Sequence, residues 1–332
     1  MVKFSLIILS TLIMFPFLSG VSYATNQTSF ELPTELQENI STDNITNIIG
    51  NLSSFSTRET GTQGCLDASE YIHDWIASNT NASASYQNFT WMGNPTRNVI
   101  GEIDGNDSII IICAYYDSVS DTAIAPGAND DASGVAVGLE CLRMLAEYKE
   151  SHVDLNSKIL FIAFSGEEQA LAGSRIWVQA HVNENVRGVI NLDTIGYGTG
   201  QSLIYNIESE WLASNVLISS MSVDLDTYVI KKPLVYPDNS PGDHQSFWNH
   251  GIPAIWMYED GPIYPHFHTE RDTINNVNIN LLVDAVKIVN AGVFYSSMKL
   301  QSINYLYNSI FLIILVISLI SVSFLIIYKK KT

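Results

Sequence analysis

The stretch "IIICAYYDSV", residues 110–119, decides the fold. Five consecutive apolar residues end in Tyr115, Tyr116 and Asp117, the pattern of a buried strand that delivers polar side chains to its C-terminal edge. Four similar strand-like runs accompany it: "NVIGEI" from Asn98, "KILFIAF" from Lys158, "GVINLD" from Gly188 and "IPAIWMY" from Ile252. Helical segments, "ASGVAVGLECLRMLAEYK" from Ala132 and "EQALAGSRIWVQAHV" from Glu168, alternate with them. This alternation predicts an α/β domain with a mixed, largely parallel central sheet flanked by helices. Sheets of that kind bind ligands at the C-terminal ends of their strands, so the edge reached by Tyr115 is the place to look for chemistry.

Chemistry-bearing residues recur there. After the opening strand come "PGANDDASG" with Asp130 and Asp131, "FSGEEQALAGS" with Glu167 and Glu168, "NLDTIG" with Asp193, and "HFHTERDT" with His266, His268 and Asp272. Each alone has a plain explanation, since Asp and Gly make turns and Glu opens helices. Carboxylates and histidine converging from separate strand ends suit a divalent metal such as zinc, with one neighbouring carboxylate left free as a base.

Composition sets the class. At 332 residues and 46% apolar content the chain can bury a sizeable core. Its net charge of -18, from 34 acidic and 16 basic residues, argues against nucleic-acid binding, which needs clustered Lys and Arg. Residues 1–24 carry Lys3, the apolar "FSLIILSTLIMFPFL" and the small-residue pattern Ser22-Tyr23-Ala24, so they are expected to be a secretory signal peptide. Near the other end the 18 residues from Ile310 to Ile327 are uncharged and mostly apolar. At 1.5 Å per residue they reach across a hydrocarbon core of about 30 Å. A single C-terminal transmembrane helix over 309–328 is expected, with Lys329, Lys330 and Lys331 in a cytoplasmic tail of 329–332. Between these ends lie an exposed N-terminal segment, 25–55, and one α/β domain, 56–300. Glycosylation sequons at Asn26, Asn39, Asn44, Asn51, Asn81, Asn88 and Asn106 fit an exported, membrane-tethered domain. Cys65, Cys113 and Cys141 allow at most one internal disulfide, and buried thiols are the simpler expectation.

From Ser56 to about Asn276 the sequence resembles the zinc aminopeptidases of metallopeptidase family 28, which include glutaminyl cyclases. The blocks GANDDASG, GEE, NLD and HTxxDT, in this order, carry the resemblance. It implies that Asp130 bridges two zinc ions and that the Asp130–Asp131 peptide is cis. Glu168 and His268 would complete one zinc site, Asp193 and a histidine the other, and Glu167 would be the general base. Asp117, Asp131 and Asp272 would support the ligands, and Asp243 and His244 in "PGDHQSFW" would lie near the pocket.

One departure stands out. The family writes the strand end as His-x-Asp-Ser, and here it reads Tyr115-Tyr116-Asp117-Ser118. A phenol, with an ordinary pKa of about 10, must lose a proton before it binds zinc, whereas neutral imidazole binds readily. Tyr115 could ligate as phenolate, His244 or His266 could substitute, or the second site could be empty, leaving one zinc rather than two. The resemblance implies a zinc exopeptidase acting on peptides with a free N-terminus, with a single or altered metal site, and the apolar ends and sequons lead to the expectation that it is membrane-anchored and extracellular. A catalytically silent ectodomain and a glutaminyl cyclase-like acyl transferase are the alternatives. Oligomeric state is not legible.

Overall fold

Helices and strands alternate as the apolar runs require. The computed structural model describes residues 32–152, 155–234 and 242–297. In chain order the elements are α1 (Glu35–Glu38), α2 (Thr42–Ser54), α3 (Gln63–Asn79), β1 (Ser83–Trp91), β2 (Asn94–Ile103), β3 (Asn106–Tyr115), α4 (Ala132–Ser151), β4 (Ser157–Phe164), α5 (Ala172–Ala180), β5 (Val186–Leu192), β6 (Gly200–Tyr205), α6 (Glu210–Ser220), β7 (Tyr228–Pro233), α7 (Asp243–Trp248), β8 (Ala254–Asp260) and α8 (Ile279–Ser297). The eight strands form one sheet in the order β1-β2-β4-β3-β5-β8-β6-β7. Its centre, β4-β3-β5-β8, is parallel, and antiparallel pairings join β2 to β4 and β6 to β8. The expected mixed, largely parallel sheet flanked by helices is the observed architecture.

Register sets up the site. Tyr115 pairs with Phe164, and Leu192 with Met257, so β3, β4, β5 and β8 end side by side. The loops that leave them at 116–131, 165–171, 193–199 and 261–273 converge on one rim. Beneath it, Ile111, Cys113, Ile162 and Val189 on the sheet pack with Trp177 of α5 and Phe247 of α7. On α4 a glycine permits close approach: a Cβ on Gly138 would meet the Phe161 ring at 2.1 Å.

Two expectations are corrected. Residues from Leu32 to Phe55 are not a separate exposed segment. Ile45, Ile48, Ile49 and Leu52 follow helical spacing on α2 and are fully buried, so this helix completes the domain core. Nor do Glu167 and Glu168 open a helix, because α5 starts only at Ala172. Ala170 and Leu171 adopt left-handed backbone (φ 60° and 62°), which ends any helical path from the glutamates. All three cysteines are buried free thiols. Among the described residues one helix, α8, is long and apolar enough to cross a membrane. It is a core helix, 72% buried over its apolar window. The expected signal peptide and the expected span at Ile310 to Ile327 lie outside the described residues.

Candidate metal centre

Asp130, Glu168 and His268 meet at the rim. Their donor atoms all lie within 4.8 Å of one another. His268 Nε2 is 2.9 Å from Glu168 Oε1 and 3.3 Å from Asp130 Oδ2. Each comes from a different strand-end loop, so the fold alone creates the cluster.

Asp130 is fixed from behind. Asp272 Oδ2 accepts the Asp130 amide at 3.0 Å, and its Oδ1 accepts the Asn129 amide at 2.8 Å and the Tyr264 hydroxyl at 2.6 Å. The Asp130–Asp131 peptide is cis, as the resemblance implies. Asp131 caps α4 at the Gly134 amide (3.1 Å) and also accepts the Thr194 and Tyr115 amides at 3.0 and 3.3 Å. It thereby ties the ends of β3 and β5 to the start of the helix. Glu167 and Glu168 owe their placement to Asp117, whose two oxygens accept their amides at 3.2 Å each. Asp117 therefore orients the glutamate turn rather than the side chain at position 115.

The donor set fits zinc. Two carboxylates and one imidazole nitrogen facing a cavity make the three-ligand, open-position arrangement of a catalytic zinc. Charge points the same way. Burial lowers the His268 pKa, but its hydrogen bonds and charge interactions with Asp130 and Glu168 outweigh this and raise it to about 10. Without a metal the imidazolium is the cation these carboxylates require. Zinc bound there would displace that proton.

The neighbouring position is different. The Tyr115 hydroxyl donates to Asp130 Oδ1 and lies 3.2 Å from Asp193 Oδ1. Burial first, then the charges of Asp130 and Asp193, push its pKa well above the usual phenol range. Asp193 Oδ1 also accepts the Thr194 hydroxyl at 2.9 Å, and burial with the Asp130 charge raises Asp193 to about 7. Neither candidate substitute histidine joins the cluster. His244 is buried, stacked on Trp256 at 5.1 Å and edge-on to Trp248, and desolvation lowers it to about 3. His266 lines a separate pocket with Asp121, Glu270 and Arg271. Among the described residues the converging group is Asp130, Glu168 and His268 alone.

Glu167 sits beside the cluster in a cavity of about 440 Å³. Its lining combines Tyr115, Glu168, Asp193 and His268 with Leu171, Trp256, Tyr258 and Phe267. Burial, followed by the charges of Asp243 and Asp193, raises the Glu167 pKa well above the carboxylate norm. A carboxyl whose pKa is raised by its surroundings is suited to take and return protons. Asp243 is fully buried near it and is itself raised by desolvation.

Sequence reasoning missed several supports. Arg58 is wholly buried, and its guanidinium donates to the carbonyls of Tyr116, Leu52, Pro126 and Gly127. It clamps α2, the end of β3 and the loop that carries Asp130. Glu259 Oε2 accepts the Asn129 side-chain amide and the Tyr197 amide at 2.9 Å each, and desolvation raises it to about 8. A lone arginine in "STRETG" and a glutamate ending a strand carried no spacing signal.

The family described as peptidase family M28 matches residues 98–293. The chain belongs to peptidase family M28. Its relatives include a protein of Pyrenophora tritici-repentis (strain Pt-1C-BFP) named "Probable zinc metalloprotease", 28% identical over 80% of this chain and 67% of the relative. Another, from Arthroderma otae (strain ATCC MYA-4605 / CBS 113480), is named "Probable leucine aminopeptidase" and is 27% identical over 63% of this chain and 66% of its own. The chain spans less than half the length of several other curated relatives. Among solved structures, the LapA aminopeptidase of Legionella pneumophila shares the fold, with a TM-score of 0.68 at 22% identity over 80% of this chain and 74% of that one.

Proposed function

We propose that this M28 protein is a zinc-dependent exopeptidase that releases N-terminal residues from peptides. We place it outside the cell, tethered by the apolar segment Ile310 to Ile327 behind a cleaved signal. The observation that carries the hydrolytic reading is the placement of Glu167, half-buried in the cavity that Glu168 and His268 line, two of the three donors that converge with Asp130. Zinc held by those three residues would polarise the scissile carbonyl and lower the pKa of the attacking water. Glu167 takes a proton from that water and returns it to the leaving amine. Asp117 keeps Glu167 and Glu168 in register through their amides, while Leu171, Trp256, Tyr258 and Phe267 shelter the substrate's terminal side chain from water. The intact base and three donors count against a silent ectodomain.

The test is hydrolysis of leucyl-anilide by the purified full chain, before and after chelation and zinc return, beside a glutaminyl peptide. Zinc-restored anilide cleavage is expected. Cyclisation of the glutaminyl peptide without anilide cleavage would replace this reading with an acyl transferase, and no activity on either would leave the silent ectodomain. Protease treatment of intact cells should remove the domain while a tag after Thr332 stays protected. A tag reached from outside would contradict the topology.

A further inference from the structure

On the zinc-dependent reading above, the surroundings of Asp130 set how many ions the centre holds. The two carboxylate oxygens of Asp130 face different neighbours. Oδ2 is 3.3 Å from His268 Nε2, on the side of Glu168. Oδ1 accepts the Tyr115 hydroxyl, which is also 3.2 Å from Asp193 Oδ1. A bridging aspartate between two cations would present one oxygen to each, and here the second oxygen is met by a side chain. We propose that Tyr115 is a positioning residue whose hydroxyl stands in the place of a second cation, so that the chain binds one zinc and Asp193 does not ligate.

Space supports this. Zinc sits about 2.0–2.2 Å from carboxylate oxygens, so an ion shared by Asp130 Oδ1 and Asp193 Oδ1 would fall where the phenol oxygen lies. Hydrogen bonding agrees, because Asp193 Oδ1 accepts the Thr194 hydroxyl at 2.9 Å and has the Tyr115 oxygen 3.2 Å away on the side a shared cation would occupy. The supporting residues agree as well. A ligand at position 115 would call for a partner to orient it, yet Asp117 accepts the amides of Glu167 and Glu168 and the Thr60 hydroxyl. Among the described residues a single group of three donors converges, and Asp193 is outside it.

The experiment strips the full chain with a chelator, restores zinc in excess, desalts and counts zinc per chain by mass spectrometry, with tyrosine absorbance followed during a parallel titration. One zinc per chain and no tyrosinate band are expected. Two zincs, or a tyrosinate band growing with zinc, would overturn the proposal. Tyr115→His should bind two zincs, and a folded variant that still binds one would also overturn it. Should that variant fail to fold, the count on the unaltered chain still decides. Leucyl-anilide hydrolysis on the same samples is read separately: an inactive protein with one zinc sinks the exopeptidase reading and leaves this inference standing.

Discussion

Arg58→Met tests whether the metal centre depends on a clamp far from the metal. The substitution keeps an apolar stem and removes a guanidinium that is fully buried. Four carbonyls lose a donor: Tyr116, at 2.6 Å from Nε, Leu52 and Gly127, each at 2.9 Å, and Pro126. An unsatisfied buried acceptor costs about 1–3 kcal/mol, which would sum to roughly 4–12 kcal/mol. Relief of the buried charge's own desolvation and entry of water offset part of this. A net loss of about 3–5 kcal/mol is expected, similar to breaking a buried charged interaction. That is a large share of a stability of about 5–15 kcal/mol. The melting temperature should fall by about 6–20 °C. Zinc affinity should fall too, because Pro126 and Gly127 begin the loop that presents Asp130. Circular dichroism melts and calorimetric zinc titration measure both. A variant that melts within about 2 °C of the parent would refute the clamp, and Arg58→Lys, which keeps the charge but not the fork, should recover only part of the loss.

Glu167→Gln should lower kcat by about 10²–10⁴-fold while zinc content is unchanged, and equal turnover would exclude it as the base. Asp272→Asn leaves one backbone amide of the Asp130 loop without its carboxylate acceptor, so zinc affinity should drop by about 10–100-fold; unchanged affinity in a calorimetric titration would argue against that support. Stability of the chelated protein should decline with rising pH. Asp117 and Glu259 are acids whose folded pKa values are raised, so their contribution is lost as pH climbs from 3.8 to about 7 and from 4.5 to about 8. His268 is a base raised to about 10, so its contribution is complete below 6.5 and is lost as pH climbs through about 10. Melts of the chelated protein that strengthen between about pH 5 and pH 8 would contradict this. Glycopeptide mapping of exported protein should find Asn81 or Asn88 occupied, both being exposed, and not Asn44, whose side-chain amide donates to the buried Glu140 at 3.0 Å.

The parallel centre of the sheet was legible because β3, β4, β5 and β8 are buried on both faces and read as continuous apolar runs. Strand β1, "SASYQNFTW", alternates exposed and half-buried residues at the sheet edge and gave no such run. The same is true of β7, which carries Lys231 and Lys232. Helix α2 was hidden by its asparagines, although Ile45, Ile48, Ile49 and Leu52 carry helical spacing. In the site, Asp130, Glu167, Glu168, Asp193 and His268 were recognisable through their blocks, and Tyr115 through its departure from one. What the sequence could not supply was direction. That the Tyr115 hydroxyl points between Asp130 and Asp193, that Asp117 turns to the glutamate amides, and that His244 stacks on Trp256 all follow from loops meeting in space.

The most direct test of the account is an anomalous difference map at the zinc edge from crystals of the protein soaked in zinc. One peak is predicted, within coordination distance of Asp130, Glu168 and His268 and with the Tyr115 hydroxyl still hydrogen-bonded to Asp130. A second peak between Asp130 and Asp193, or a peak away from the three donors, would contradict it.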